Sequence, residues 1–95
     1  MQISKVNFQI TGWMLNELDL KGNELLIYAI IYAYSQFDDQ YFTCCVQDLA
    51  DLTHISRGTV LAVLKNLTKK GFLSIKREKI VKRVKFYSIK AIRNV

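Results

Sequence analysis

The sequence predicts an α+β fold, a three-helix core followed by a two-stranded hairpin. Three observations lead there: apolar residues recur at helical spacing between residues 23 and 67, two of the helical stripes are separated by only a short turn, and the pattern switches to alternation after Gly71. The chain has 95 residues and no proline. That length supports one small core and leaves no room for a two-lobed enzyme with a cleft between its lobes. With 51% apolar and 12% aromatic residues, burial offsets chain entropy, which excludes collagenous, low-complexity and disordered classes. A single domain is expected over 1–95, comprising an N-terminal arm and short helix (1–20), a helical core (21–71) and a hairpin (72–90). No internal repeat or linker interrupts it.

Val6, Phe8 and Ile10 share one face of an alternating stretch, which reads as a short strand or extended arm. After Gly12, the spacing of Trp13, Met14, Glu17 and Leu18 suits one or two helical turns. Leu20-Lys21-Gly22-Asn23-Glu24 breaks that turn and opens the next helix with an acid near its N-terminus, as the helix dipole favours. Residues 23–35 form the strongest helix, with Leu26, Ala29, Ile30 and Ala33 on one face and Leu25, Tyr28, Ile31 and Tyr32 over most of the rest. A helix apolar nearly all round needs cover on several sides. Either the N-terminal arm packs over it, or a homodimer forms through the arm and helix 23–35. Trp13 and the tyrosines Tyr28, Tyr32 and Tyr34 belong to that core or subunit interface.

Residues 36–40, with Asp38-Asp39, form a polar turn. The apolar pair Tyr41-Phe42 follows, and Thr43 or Cys44 caps a helix that runs to about Leu52, burying Val46, Leu49, Ala50 and Leu52. Thr53-His54-Ile55-Ser56 separates it from a further helix. Ser56 is a good N-cap, and Val60, Val63, Leu64 and Leu67 make its inner stripe. Lys69-Lys70-Gly71 supplies cations in the last turn and a glycine stop. Phe72–Arg77 and Arg83–Ile89 then read as strands. With no Gly, Asn, Asp or Pro between them, the stretch Glu78–Lys82 is expected to be a loop of several residues, of unfixed register.

Charge is segregated along this order. Residues 1–64 carry three cations and seven acids, a net −4, whereas residues 65–95 carry eleven cations and one acid, a net +10. Such a basic end marks a polyanion-binding surface, most often for nucleic acid. The adjacent Cys44 and Cys45 cannot reach the geometry of a disulfide with one another, so no secreted disulfide framework exists. The N-terminus lacks the apolar core of a signal peptide, and the longest apolar run, 25–34, is about half a membrane span. A cytoplasmic protein with no membrane association is expected.

The stretch Leu49-Ala50 through Leu67 has the form of a helix-turn-helix. Ala50 is small where two helices touch, Ile55 is an apolar residue in the turn, and the second helix is capped and keyed to the core. Leu49-Ala50, Ile55-Ser56-Arg57, Thr59-Val60, Leu64 and Leu67, then Lys70-Gly71-Phe72-Leu73, resemble bacterial winged helix-turn-helix DNA-binding domains. Upstream, Trp13-Met14, Glu17-Leu18, residues 20–26 and Tyr28-Ala29-Ile30-Ile31-Tyr32 are similar to small helix-turn-helix proteins of Gram-positive bacteria, their phages and plasmids. They are also similar to the N-terminal domains of DnaD-like replication proteins. The resemblance covers roughly 21–89. It implies double-stranded DNA binding in transcriptional regulation or in replication initiation of a bacterial mobile element. The alternative is a protein-interaction and oligomerisation module of a replisome.

With Val60, Leu64 and Leu67 pointing inward, the outer face of helix 57–70 holds Gly58, Ala62, Lys65 and Lys69, flanked by Leu61, Thr59 and Asn66. Gly58 and Ala62 permit close approach to a groove, while Lys65 and Lys69 neutralise phosphates. Ser56, Arg57 and Thr59 open the helix where base edges are met, and the Arg57 guanidinium suits a bidentate contact to guanine; pairing with Asp48 or Asp51 is its other use. Lys76, Arg77, Lys79, Lys82, Arg83 and Lys85 fit a wing on the phosphate backbone or in the minor groove. Few of these side chains read bases, which points to modest sequence specificity. Single-stranded nucleic acid or RNA binding through Phe86 and Tyr87 is a third reading.

No catalytic constellation is present in the sequence: there is no activated Ser/Cys–His pair, no phosphate loop and no carboxylate pair in a cleft. Cys44, Cys45 and His54 match no structural zinc spacing and are expected to be buried helix-start cysteines and a turn histidine that caps or meets a phosphate. Neither metal nor cofactor is called for.

Overall fold

The computed structural model describes residues 8–35 and 41–92. Its order is α1 (Gly12–Asn16), α2 (Gly22–Ser35), β1 (Phe42–Cys45), α3 (Val46–Thr53), α4 (Arg57–Lys69), β2 (Leu73–Val81) and β3 (Val84–Ala91). The three strands form one antiparallel sheet in the order β1-β3-β2. This is the winged-helix arrangement anticipated from the sequence, with one strand more than expected. Of the anticipated arm, residues 1–7 lie outside the described residues, as does the polar turn at 36–40, and residues 8–10 form no strand. None of the described helices is long and apolar enough to cross a membrane.

Helix α2 is the axis of the core. Ile27, Tyr28, Ala29, Ile30 and Ile31 are buried consecutively, as an all-round apolar helix requires. The cover comes from the same chain. Met14, Leu18 and Leu20 close one side, and Trp13 meets Tyr28 and Tyr32 edge-on at 6.1 and 5.1 Å. The other sides meet α3, α4 and β3. Two polar contacts tie α2 to the end of β3: Tyr28 Oη donates to the Ile92 carbonyl at 2.9 Å, and Ser35 Oγ accepts from the Ala91 amide at 2.9 Å.

The sheet departs from expectation in two places. The segment Phe42–Cys45, expected as an apolar pair followed by a helix cap, is a strand whose Phe42 and Cys44 pair with Ile89 and Tyr87. The α3 cap therefore lies at Cys45 rather than at Thr43 or Cys44, and the Cys45 amide donates to Asp48 Oδ2 at 3.2 Å. Strand β2 runs on to Val81, so the expected loop at 78–82 is replaced by a two-residue turn, Lys82-Arg83. Both turn residues have positive φ, 51° and 69°, the backbone that a two-residue hairpin needs to match strand twist. Pairing of Ile80 with Lys85 and of Val81 with Val84 imposes this on residues that do not favour it.

Candidate nucleic-acid interface

Local chemistry fixes the start of α4. His54, exposed, ends α3 in the left-handed conformation at φ 59°, which turns the chain. Ser56 Oγ then accepts from the Thr59 amide at 3.3 Å and donates to Thr59 Oγ1 at 2.9 Å, satisfying one of the free amides of the first turn. Replacing Ser56 by alanine is expected to lower unfolding free energy by about 1 kcal/mol, read from urea melts; an unchanged midpoint contradicts the capping role. At the other end, the Gly71 and Phe72 amides donate back to the Thr68 and Leu67 carbonyls at 3.1 and 3.0 Å, with Gly71 at φ 84°.

Val60, Leu64 and Leu67 are each at most 2% exposed, so α4 is keyed to the core by the anticipated stripe. The far face is exposed at Arg57, Gly58, Thr59, Ala62, Lys65, Asn66 and Lys69. A Cβ added at Gly58 meets nothing within 4 Å, so the absent side chain leaves open space on the helix surface rather than a packing contact. Glu24, at the start of α2, holds the C-terminal half of α4: its carboxylate accepts from Asn66 Nδ2 at 3.1 Å and from Lys70 Nζ at 3.1 Å. Asn66 thus lies on the interface side of α4 with its amide engaged. Such exposed pairs contribute at most about 1 kcal/mol each, and orient more than they stabilise.

A cleft separates α4 from the hairpin. Arg57, Gly58 and Leu61 of α4, the α3 start at Cys45–Gln47, and Arg83, Lys85 and Tyr87 of the hairpin line it. Arg57 from α4 and Arg83 and Lys85 from the hairpin come to one concavity, which concentrates positive potential. Arg57 forms no ion pair with Asp48 or Asp51. Lys85 pairs with Glu78 at 3.2 Å, and that hydrogen bond holds its ammonium above the ordinary lysine range.

The remaining hairpin cations do not join this cleft. A bulge at Lys76 shifts the register between Ile75 and Arg77. Before it, Ile75 pairs with Ile89 of the core face; after it, Arg77 and Lys79 pair with Ser88 and Phe86 and line the opposite, outer face with Thr43 and Val81. Lys76 reaches over the Tyr41 ring at 5.0 Å. The single wing expected from the sequence is therefore divided into Arg83 and Lys85 beside α4, Lys82 in the turn at the hairpin tip, and Lys76, Arg77 and Lys79 away from α4. Phe86 and Tyr87 also part, with Phe86 on the outer face and Tyr87 buried at 8% exposure. Tyr41 and Lys90, which share the outer face, had no sequence signal, because their placement depends on the unanticipated pairing of β1 with β3.

Cys44 is 1% exposed, and burial first, then Asp48 and Cys45, push its thiol up to about 12. Its thiolate is therefore disfavoured in the folded state only. The contribution of this thiol to stability is expected to be constant below about pH 9 and to fall as pH rises toward 12, where the unfolded thiol ionises first. Native protein at neutral pH should resist iodoacetamide at Cys44 by mass spectrometry, and unfolded protein should react; rapid native labelling contradicts this.

A helix-turn-helix domain family matches residues 18–73, more than half of the chain and the whole span from the end of the α1 segment to the first residue of β2. No curated protein and no solved structure is significantly similar. The fold, the capped turn and the family match agree, and the chain belongs to the helix-turn-helix domain family.

Proposed function

We propose that the protein binds double-stranded DNA with α4 in the major groove and the tip of the hairpin on the phosphate backbone or in the minor groove. The observation that carries this reading is the cleft where Arg57, Arg83 and Lys85 converge beside an α4 face kept low by Gly58 and Ala62. Arg57 and Thr59 meet base edges, Ser56 sets their position as the cap, and Lys65, Lys69, Lys82, Arg83 and Lys85 neutralise phosphates, with Asn66 at the margin. With so few base-reading side chains, backbone contacts dominate and sequence specificity is modest. The protein acts as a binding module without catalysis, metal or cofactor. Its setting is the bacterial cytoplasm, in transcriptional regulation or replication initiation of a phage or plasmid, as the likeness to DnaD-like domains implies.

Fluorescence anisotropy with a random duplex over a salt series tests this reading. The five cations placed on phosphates (Lys65, Lys69, Lys82, Arg83 and Lys85) give a log–log slope of about −4.5. The variant Lys82→Asn/Arg83→Gly removes two charges and installs the residues that the positive-φ turn prefers, so it should be at least as stable. Its slope should be shallower by about two. Absence of binding at about 50 mM salt, where phosphate contacts are strongest, overturns the proposal.

A self-associating form has one observation in its favour. Phe8, Ile10 and Leu15 are 36, 48 and 45% exposed around α1, although α2 itself is covered by its own chain. A homodimer through the arm would bury them and present two copies of α4. Sizing chromatography of wild type and of Ile10→Glu decides it: a dimer lost in the variant supports the contact, and a monomer throughout removes it.

A further inference from the structure

We infer that the outer face of the sheet is a second nucleic-acid surface, for single strands, separate from α4. This face is a shallow groove lined by Thr43, Arg77, Lys79, Val81, Phe86 and Ser88. The three strands contain one acid, Glu78, and the bulge at Lys76 turns it toward the helix side, where it pairs with Lys85. The same bulge delivers Arg77 and Lys79 to the outer side, which Lys76 already shares. Without that one-residue insertion, Arg77 and Lys79 would point at the helices.

The chemistry of the groove fits a strand whose bases are unstacked. Phe86, half-buried, offers an aromatic surface of the kind on which any base stacks. Beside it Thr43 and Ser88, with their hydroxyls 3.5 Å apart, form a low polar floor able to donate to or accept from a base edge. Around this floor stand Arg77 and Lys79, and farther along Lys76 and Lys90 bring their ammonium groups to the Tyr41 ring, at 5.0 and 5.8 Å. Cations flanking an aromatic platform follow the backbone of a single strand while its bases lie flat. A duplex has no free base face to offer Phe86. Because α4 packs on the opposite side of the sheet, both surfaces can be occupied at once.

Anisotropy with fluorescein-labelled oligo(dT) and, in parallel, a random duplex at about 50 mM salt tests the inference. Phe86→Ala should weaken oligo(dT) binding about tenfold, and Arg77→Ala/Lys79→Ala should weaken it severalfold, both leaving duplex affinity within about twofold. Phe86→Leu, which keeps apolar bulk, guards against a folding defect and should still lose most of the stacking contribution. Ala62→Glu, on the far side, should leave oligo(dT) binding unchanged. Retained oligo(dT) binding with no duplex binding overturns the α4 reading and leaves this one standing. Failure of the wild type to bind oligo(dT), insensitivity to Phe86→Leu and Arg77→Ala/Lys79→Ala, or equal losses for duplex and oligo(dT), each overturns the second surface.

Discussion

Ala62→Glu is expected to weaken duplex binding about 100-fold while leaving the fold intact. Ala62 lies exposed at the centre of the α4 outer face, with Gly58 one turn before it and Lys65, Asn66 and Lys69 after it. Glutamate is a good helix former, and an exposed substitution of this kind changes stability by no more than about 0.5 kcal/mol. Against DNA it acts twice. It places a carboxylate among phosphates, a like-charge contact that costs several kcal/mol, and it pairs one turn along with Lys65, removing a phosphate contact. A loss of about 2.7 kcal/mol corresponds to the 100-fold expected. Parallel anisotropy and thermal melts measure both effects; unchanged affinity means that α4 does not face the duplex.

The second large effect is on the core. Phe42→Ala should cost about 3–5 kcal/mol, the range for a buried phenylalanine truncation that leaves a cavity. Phe42 is 1% exposed, stacks on Tyr34 with ring centroids 4.5 Å apart, and pairs with Ile89 of β3. For a domain of this size that loss lowers the melting midpoint by at least about 12 °C. Chemical and thermal melts read it directly, and a change below about 1 kcal/mol would show that β1 adds nothing to the core.

That strand is also where sequence reasoning fell short. Helix α4 was legible because Ser56, the stripe from Val60 to Leu67 and the Gly71 stop all act within the helix itself. Strand β1 has four residues and runs directly into α3, so its alternation is too brief to separate from the helical pattern that follows. What makes it a strand is pairing with residues 86–89, a non-local contact. The hairpin tip was misplaced for a related reason. Lys82 and Arg83 carry no turn preference, and their positive φ values are imposed by the paired strands on either side.

The same physics limited the reading of the site. The six wing cations were recognisable as a group, but a strand assigns faces by parity, and one bulge at Lys76 reverses the assignment for everything after it. Arg77 and Lys79 therefore face away from α4, whereas Lys85, on β3, keeps the parity of Tyr87 and Ile89 and faces the cleft. Asn66 is exposed on α4, and its bond to Glu24 joins residues 42 positions apart and has no local signature. The all-round apolar character of α2 showed that it needed cover, without showing that Met14, Leu18 and Leu20 supply it.

The central claim is that α4 and the hairpin tip together meet a DNA duplex, and amide chemical-shift mapping during titration with a random duplex tests it most directly. Perturbations centred on Arg57, Gly58, Thr59, Ala62, Lys65 and Lys69, with a second group at Lys82, Arg83 and Lys85, are the predicted result. A titration that leaves α4 unperturbed, or moves only residues around α1 or on the outer sheet face, would contradict it.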